Sequence, residues 1–358
     1  MSKKKNKKFD SHRETKNKQK KKYEKNILDN KKSLDKENDF KDNSLNVKPA
    51  FEERYKQLLG EKEYACFIEF SEKYIKKTIR VNTLKISVKD LKKRLEKDWI
   101  LTQVPWCKEG FWIEYRHGKR YDIGNIPEHQ MGYIYVQDAS SMLPPIILSP
   151  DHTDIVLDMC AAPGSKTSQL AQYMENTGLL IANDSQGKRL SALGINIQRC
   201  GVHNTIITKM DGERIRGFEN TFDKILVDAP CSGTGTIRRN YKIMEMWSSG
   251  LIGRMSKVQY KLAKKAFSML KPGGVLVYST CTLEPEENEG IVSKLLNEYP
   301  NADIEEIKLN INRAEAITEF NNIKYDERVK KCLRIYPQNN DSEGFFVAKI
   351  RKTSGTTK

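Results

Sequence analysis

No two of the seven cysteines, at positions 66, 107, 160, 200, 231, 281 and 332, are close enough for a Cys-x-x-Cys pair or a zinc-ligand cluster. The five histidines are scattered without helical pairing. A metal site is therefore not expected. No apolar run reaches the roughly 18 residues that span a bilayer and no secretory segment opens the chain, so a cytoplasmic protein with free thiols and no membrane partner is expected. The Gly-x4-Gly-Lys pattern of a phosphate-binding loop is absent, as is the Gly-x-Gly-x-x-Gly of dinucleotide folds. No internal repeat of about 20 to 50 residues occurs either.

The chain has 358 residues, enough to bury a sizeable core as one large domain with a smaller one appended. Net charge is +16, and residues 1–50 alone hold 17 Lys+Arg against 8 Asp+Glu. Such a balance favours a polyanionic partner, although a Lys-rich tail also suits a merely solvated segment. Residues 1–47 are nearly free of large apolar side chains and are expected to be disordered.

Residues 48–132 read as a small α+β module. Apolar residues recur at helical spacing from Phe51 to Tyr74, Arg80 to Lys85 looks extended, and Ser87 is placed to cap a helix that begins beside Asp90. Residues 133–352 read as a catalytic domain, with a short tail at 353–358. Ile134 to Met142 leads in. From residue 154 strands and helices alternate, including a helix from Met255 to Leu270 that the Lys271-Pro272-Gly273-Gly274 turn stops. This alternation predicts an open, mostly parallel sheet with helices on both faces, and residues 333–350 look like a closing antiparallel hairpin.

Two strings each place a cysteine just past an apolar strand-like run: Asp228-Ala229-Pro230-Cys231-Ser232-Gly233 and Tyr278-Ser279-Thr280-Cys281-Thr282. Loops at the carboxyl ends of such strands line one crevice, so the two thiols are expected to share a pocket. Upstream, the loop Cys160-Ala161-Ala162-Pro163-Gly164-Ser165-Lys166 uses small residues that let a ligand approach the backbone. A helix follows, and its free N–H groups suit a carboxylate. Asp184 ends the second strand, where an acid meets ribose hydroxyls in nucleotide-binding α/β folds.

At these strings, and at Arg80-Val81-Asn82, the sequence resembles the NOL1/NOP2/Sun family of RNA cytosine-C5 methyltransferases, most closely its compact archaeal tRNA-modifying members. The resemblance covers roughly residues 50–350. It implies a class I, Rossmann-like α/β methyltransferase fold, with a mostly parallel seven-stranded sheet behind an RNA-contacting α+β module. It implies S-adenosylmethionine as cofactor, held by residues 160–166 with Asp184, Arg189, Asp211, Asp228 and Pro230. It further implies Cys281 as nucleophile, Cys231 as the thiol that assists release, Asp228 as the partner of cytosine N3 and Lys166 as an orienting cation. RNA is the implied partner, tRNA before rRNA, met by Arg80, Asn82, Arg238, Arg239 and Lys242, with the enzyme acting as a monomer.

The family carries glycine where this chain has Ser165, which leaves the turn geometry there open. Because DNA cytosine methyltransferases use the cysteine of a Pro-Cys pair, Pro230-Cys231 keeps both thiols as candidates; the match at Ser279 to Thr282 favours Cys281. The alternative to an enzyme is an RNA-binding protein that has kept the fold without catalysis. The presence of both cysteines and of Asp158, Asp184, Asp211 and Asp228 argues against it.

Overall fold

Proline at the first turn starts a helix without cost, and glycine at a left-handed angle ends one. Both devices shape the first element, α1 (Pro49–Glu72), which breaks at Gly60 with φ 77°. The two halves it joins bury Phe51, Tyr55 and Phe67, whose rings stack in sequence at 4.2 and 5.3 Å. The computed structural model describes residues 47–118, 120 and 122–354. The tail expected at 1–47 lies outside the described residues except for Val47, as does the 353–358 tail from residue 355 onward.

Next come β1 (Thr78–Val81), α2 (Val88–Leu95), β2 (Trp99–Gln103), β3 (Gly110–Tyr115) and β4 (Ile134–Val136). The Ser87 side chain accepts a hydrogen bond from Asp90 N at 3.1 Å and so caps α2. The strands form an antiparallel sheet in the order β2-β3-β1-β4. Ile79, Val81, Leu91, Leu95, Phe111, Ile113 and Ile134 fill the space under α2. The strand β4, assigned by its sequence to the catalytic domain, belongs to this sheet instead, with Tyr135 opposite Arg80. Three residues carry no periodicity that says which sheet they join; the partner strand decides it.

The second sheet is built from β5 (Ile155–Asp158), α3 (Ser165–Tyr173), β6 (Leu179–Asn183), α4 (Gly187–Cys200), β7 (Thr205–Thr208), β8 (Phe222–Asp228), α5 (Ser249–Met269), β9 (Leu270–Thr280), α6 (Glu289–Glu298) and β10 (Ala302–Glu305). A separate hairpin, β11 (Glu319–Phe320) and β12 (Ile323–Lys324), precedes β13 (Leu333–Ile335) and β14 (Phe345–Lys352). The order is β10-β14-β9-β8-β5-β6-β7, parallel from β9 to β7. The strand β14 enters antiparallel between β9 and β10.

Helices cover both faces, as the alternation along β8 requires: Ile225 and Val227 pack under α5 with Leu262, Ala266 and Phe267, while Leu226 points to the side of Leu170 and Leu193. The helix α5 begins six residues before the expected Met255, where Ser248 caps it by accepting Leu251 N. The sheet has eight strands rather than the expected seven. The first half of β14 pairs with β13 and its second half with β10, so two short strands share one edge. Among the described residues no helix is long and apolar enough to cross a membrane.

Candidate active site

The strand β5 lies between β6 and β8 in the sheet, so the chain runs outward to β7 and then returns to the other side of β5. A reversal of this kind opens a crevice at the carboxyl ends of the strands. The expected residues stand there: Asp158 ends β5, Asp228 ends β8, and Cys281 follows the last residue of β9.

The Cys231 and Cys281 sulfurs are 3.1 Å apart. Three backbone segments hold their loops together, with Gly235 N donating to Cys281 O and Gly344 N donating to Gly235 O, both at 2.9 Å. A Cβ at position 235 would sit 2.3 Å from Gly344 O, so only glycine fits. Hydroxyls add a second tie: Thr282 Oγ1 lies 2.7 Å from Ser232 Oγ and 2.9 Å from Thr234 Oγ1. The contact with Cys281 and then burial push the Cys231 thiol well above its ordinary range. The two sulfurs are within S–H···S range, and either can be the donor.

Lys166, from the first turn of α3, places Nζ 2.8 Å from Asp228 Oδ2 and donates to Ser141 Oγ at 3.0 Å. Burial works against its charge, but Asp228 outweighs burial and the ammonium is held above its ordinary pKa. The second Asp228 oxygen accepts Ser279 Oγ at 2.8 Å. The Phe345 ring lies 5.6 Å from Lys166 Nζ and adds an apolar wall to the same pocket.

In the loop between β5 and α3, Gly164 takes φ 105° before the helix starts. Ala162 N donates to Asp184 Oδ2 at 3.2 Å, Arg189 pairs with Asp184 at 3.2 Å and also donates to Ala162 O, and Asn196 donates to Pro163 O at 2.9 Å. The Asp158 carboxyl is pushed up to about 7, chiefly by burial. Thr167 donates to one of its oxygens at 2.7 Å; the other, Oδ1, is buried without a hydrogen-bond partner among the described residues. Burial and the three surrounding acids raise the Cys160 thiol, which leaves that residue its backbone to offer. Asp211 is exposed and caps the turn Gly212–Arg214. Pro230 O accepts Gln259 Nε2 at 2.8 Å.

Three of the five residues expected to meet RNA face inward. Arg80 is fully buried and donates to Gln137 Oε1 (2.6 Å), Ser165 O (2.8 Å), Ser168 Oγ (2.8 Å) and Gln169 Oε1 (3.2 Å), joining β1 to α3. Asn82 donates to Gly132 O and Cys200 O, each at 2.8 Å. Arg238 donates to Asp341 Oδ1, Tyr74 O and Ser342 O. Their motifs mark required polar side chains, but acceptors inside the protein, on side chains and backbone alike, are what requires them. Lys242 is exposed, and Arg239, half-exposed, pairs with Glu343 at 2.5 Å and Asp138 at 3.6 Å. Burial, with Asp138 adding to it, pushes Glu343 up to about 8.

Asp138 and Ser141, from the Ile134 to Met142 lead-in that the resemblance puts close to the cofactor, reach the site through Arg239 and Lys166; Glu343 joins it without having been singled out, and the acidic run after Cys281, expected only as a helix start, lies beside it. Glu284 accepts Arg54 Nε at 2.7 Å, Tyr55 OH at 2.9 Å and Trp247 Nε1 at 3.0 Å, which anchors α1 beside the Cys281 loop. The signal was the density of Glu284, Glu286, Glu287 and Glu289 in a basic chain, which reads as the start of a helix. Among the described residues no group of three His, Cys, Asp or Glu is arranged to hold a metal.

Residues 145–351 match the family described as 16S rRNA methyltransferase RsmB/F, and residues 47–139 the N-terminal domain of 16S rRNA methyltransferase RsmF. The tRNA (cytosine(49)-C(5))-methyltransferase of Pyrococcus abyssi is 44% identical over 317 residues, 88% of this chain and 99% of that one. Ribosomal RNA small subunit methyltransferase F of Aliivibrio salmonicida is 46% identical over 296 residues, 81% of this chain and 60% of its own length. Among solved structures, a methyltransferase homolog protein from Pyrococcus horikoshii superposes with a TM-score of 0.77 at 42% identity, covering 86% of this chain and 96% of that one.

Proposed function

The chain belongs to the RsmB/F (NOL1/NOP2/Sun) family of RNA cytosine-C5 methyltransferases, and from that membership we propose that it methylates a cytosine of tRNA through a transient bond between Cys281 Sγ and C6. The observation that carries this reading is the 3.1 Å approach of the two sulfurs beside the Lys166–Asp228 pair. The match of Ser279 to Thr282 to the family favours Cys281 of the two as the attacking sulfur.

Cytosine C5 is a poor nucleophile until a thiolate adds to C6 and moves the double-bond electron pair onto C5. Asp228 and Lys166, paired at 2.8 Å, are suited to N3 and to orienting the base as charge develops. S-Adenosylmethionine, when bound, supplies the methyl group. Removal of the C5 proton restores the C5–C6 double bond and expels Cys281 as a thiolate, with Cys231 the nearby group that assists.

The residues of the cofactor loop fit that cofactor. An unpartnered, buried carboxylate oxygen on Asp158 calls for a cationic neighbour, Asp184 suits ribose hydroxyls, and Gly164, packed against Leu193, turns the loop into the start of α3. C6 is hidden inside a duplex, so the target base is single-stranded or flipped out, with Arg239 and Lys242 beside its phosphates. The tRNA assignment rests on coverage: the chain spans 99% of the archaeal tRNA enzyme but about 60% of the bacterial rRNA relative.

The test uses tRNA and small-subunit rRNA transcripts with S-adenosylmethionine, resolved on denaturing gels. Cys231→Ala is expected to accumulate a protein–RNA adduct and Cys281→Ala to form none, with methyl incorporation into tRNA by the unaltered chain. The reverse adduct pattern moves the nucleophile to Cys231, incorporation into rRNA alone changes the substrate, and no incorporation in any form leaves a binding protein.

A further inference from the structure

One pair of buried side chains grips the Cys231 turn from both flanks. Gln259, on α5, donates through Nε2 to Pro230 O at 2.8 Å and to Glu287 Oε2 at 2.7 Å. The same Glu287 oxygen accepts Ser232 N at 3.0 Å. Pro230 and Ser232 are the chain neighbours of Cys231, so the pair fixes where that sulfur points. Gln259 and Glu287 are both fully buried.

Each of them keeps one oxygen, Gln259 Oε1 and Glu287 Oε1, buried without a hydrogen-bond partner among the described residues. Buried acceptors are rarely left so. A proton on Glu287 Oε1 turns one of these two orphaned acceptors into a donor. The neighbours agree. Burial pushes Glu287 up to about 7, against the hydrogen bonds from Ser232 and Gln259, and Glu284 raises it further. The other ionisable groups that face it are Cys231, from the turn after β8, and Tyr278 of β9, and the charge of Glu287 opposes ionisation of both.

We propose that Glu287 is a positioning residue for Cys231, holding its turn through Ser232 and Gln259 and coupling its own charge to that of the thiol. When Glu287 takes a proton from solvent, Cys231 gives up its own more readily; when Glu287 is charged, Cys231 is kept as a thiol. This rests on the reading of Cys231 as the second thiol of the reaction, in which the Glu287 proton sets how readily the sulfur serves during release.

Iodoacetamide alkylation of Cys231, followed by peptide mass spectrometry from pH 6 to 10 in the full-length Cys281→Ala chain, needs neither RNA nor turnover. Glu287→Gln keeps an acceptor for Ser232 N but loses the charge. It is expected to lower the alkylation midpoint by about one unit, making the rate at pH 8 roughly tenfold faster, while Glu287→Asp stays near the parent profile. With native Glu287 the logarithm of the rate is expected to climb less steeply than one per pH unit across pH 6 to 8, a signature that needs no substitution at 287. An unmoved midpoint in Glu287→Gln, a uniform rise at every pH shared with Glu287→Ala, or a slope of one throughout overturns the proposal. Failure of the adduct pattern in Cys231→Ala, with the midpoint still shifted, removes the catalytic reading and leaves the coupling standing.

Discussion

Arg80→Met separates a structural strut from an RNA contact. The guanidinium makes four hydrogen bonds in a site closed to solvent, to Gln137, Ser165, Ser168 and Gln169. Methionine fills most of the volume and offers no donor. Ser165 O keeps the Ser168 hydroxyl and Gln169 Oε1 keeps Gln137 Nε2, so Gln137 Oε1 is the acceptor left bare. An orphaned buried acceptor costs roughly 1–3 kcal/mol and each lost bond to a charged donor about as much. The burial penalty that holds the Arg80 pKa down is relieved at the same time. With that relief offsetting the lost bonds, the orphaned Gln137 acceptor sets a net loss of about 3 kcal/mol, the top of its range. At roughly 2 °C per kcal/mol for a chain of this size, melting followed by circular dichroism is expected to fall by about 6 °C. RNA affinity measured by filter binding at 25 °C is expected to stay within about twofold. An unchanged melting temperature with RNA affinity reduced tenfold or more refutes the argument and returns Arg80 to the RNA surface.

For Asp158 the sign runs opposite to that of a salt-bridged acid. Its folded pKa of about 7 is above the ordinary value near 3.8, so its contribution to stability is complete below pH 4 and is lost as pH rises towards 7. Asp158→Asn is expected to melt higher than the parent by a margin that widens from pH 5 to 8, on the order of 3 kcal/mol at the upper end, while cofactor affinity by calorimetry falls; a pH-independent margin contradicts this. Arg239→Ala and Lys242→Ala are each expected to reduce the slope of log affinity against log salt by about one, with melting unchanged for Lys242→Ala and lowered for Arg239→Ala, which strips the buried Glu343 and Asp138 of their cation. Equal slopes in the variants and the parent would show that neither touches a phosphate. Gly235→Ala drives a Cβ to 2.3 Å from Gly344 O and 2.8 Å from Cys281 O. It is expected to abolish the adduct that Cys231→Ala accumulates, and a persisting adduct would show that the three-segment tie is dispensable.

Local chemistry in the sequence predicts the parallel sheet well, because β8 shows its two-sided burial as an unbroken apolar run and α5 shows its own as helical spacing. Ser87 and its cap follow from two residues alone. The cysteine strings could be placed at strand ends because each follows an uninterrupted apolar run. What escaped was decided at a distance. Nothing within Arg80-Val81-Asn82 says that the arginine turns towards α3, 85 residues on, instead of outward. The Glu287–Gln259 pair joins positions 28 apart that share no motif. The eighth strand is three residues long, too short for any period to register.

The strand β14 is made after both of its neighbours, β9 and β10, yet lies between them. Until Phe345 to Lys352 leave the ribosome, Val275 to Thr280 present an unpaired, apolar border, and Gly344 is not there to brace Gly235. A chain without β14 therefore exposes an aggregation-prone edge and lacks the backbone brace between the two cysteine loops. The same strand thus closes the sheet and ties the loops that bring Cys231 and Cys281 together.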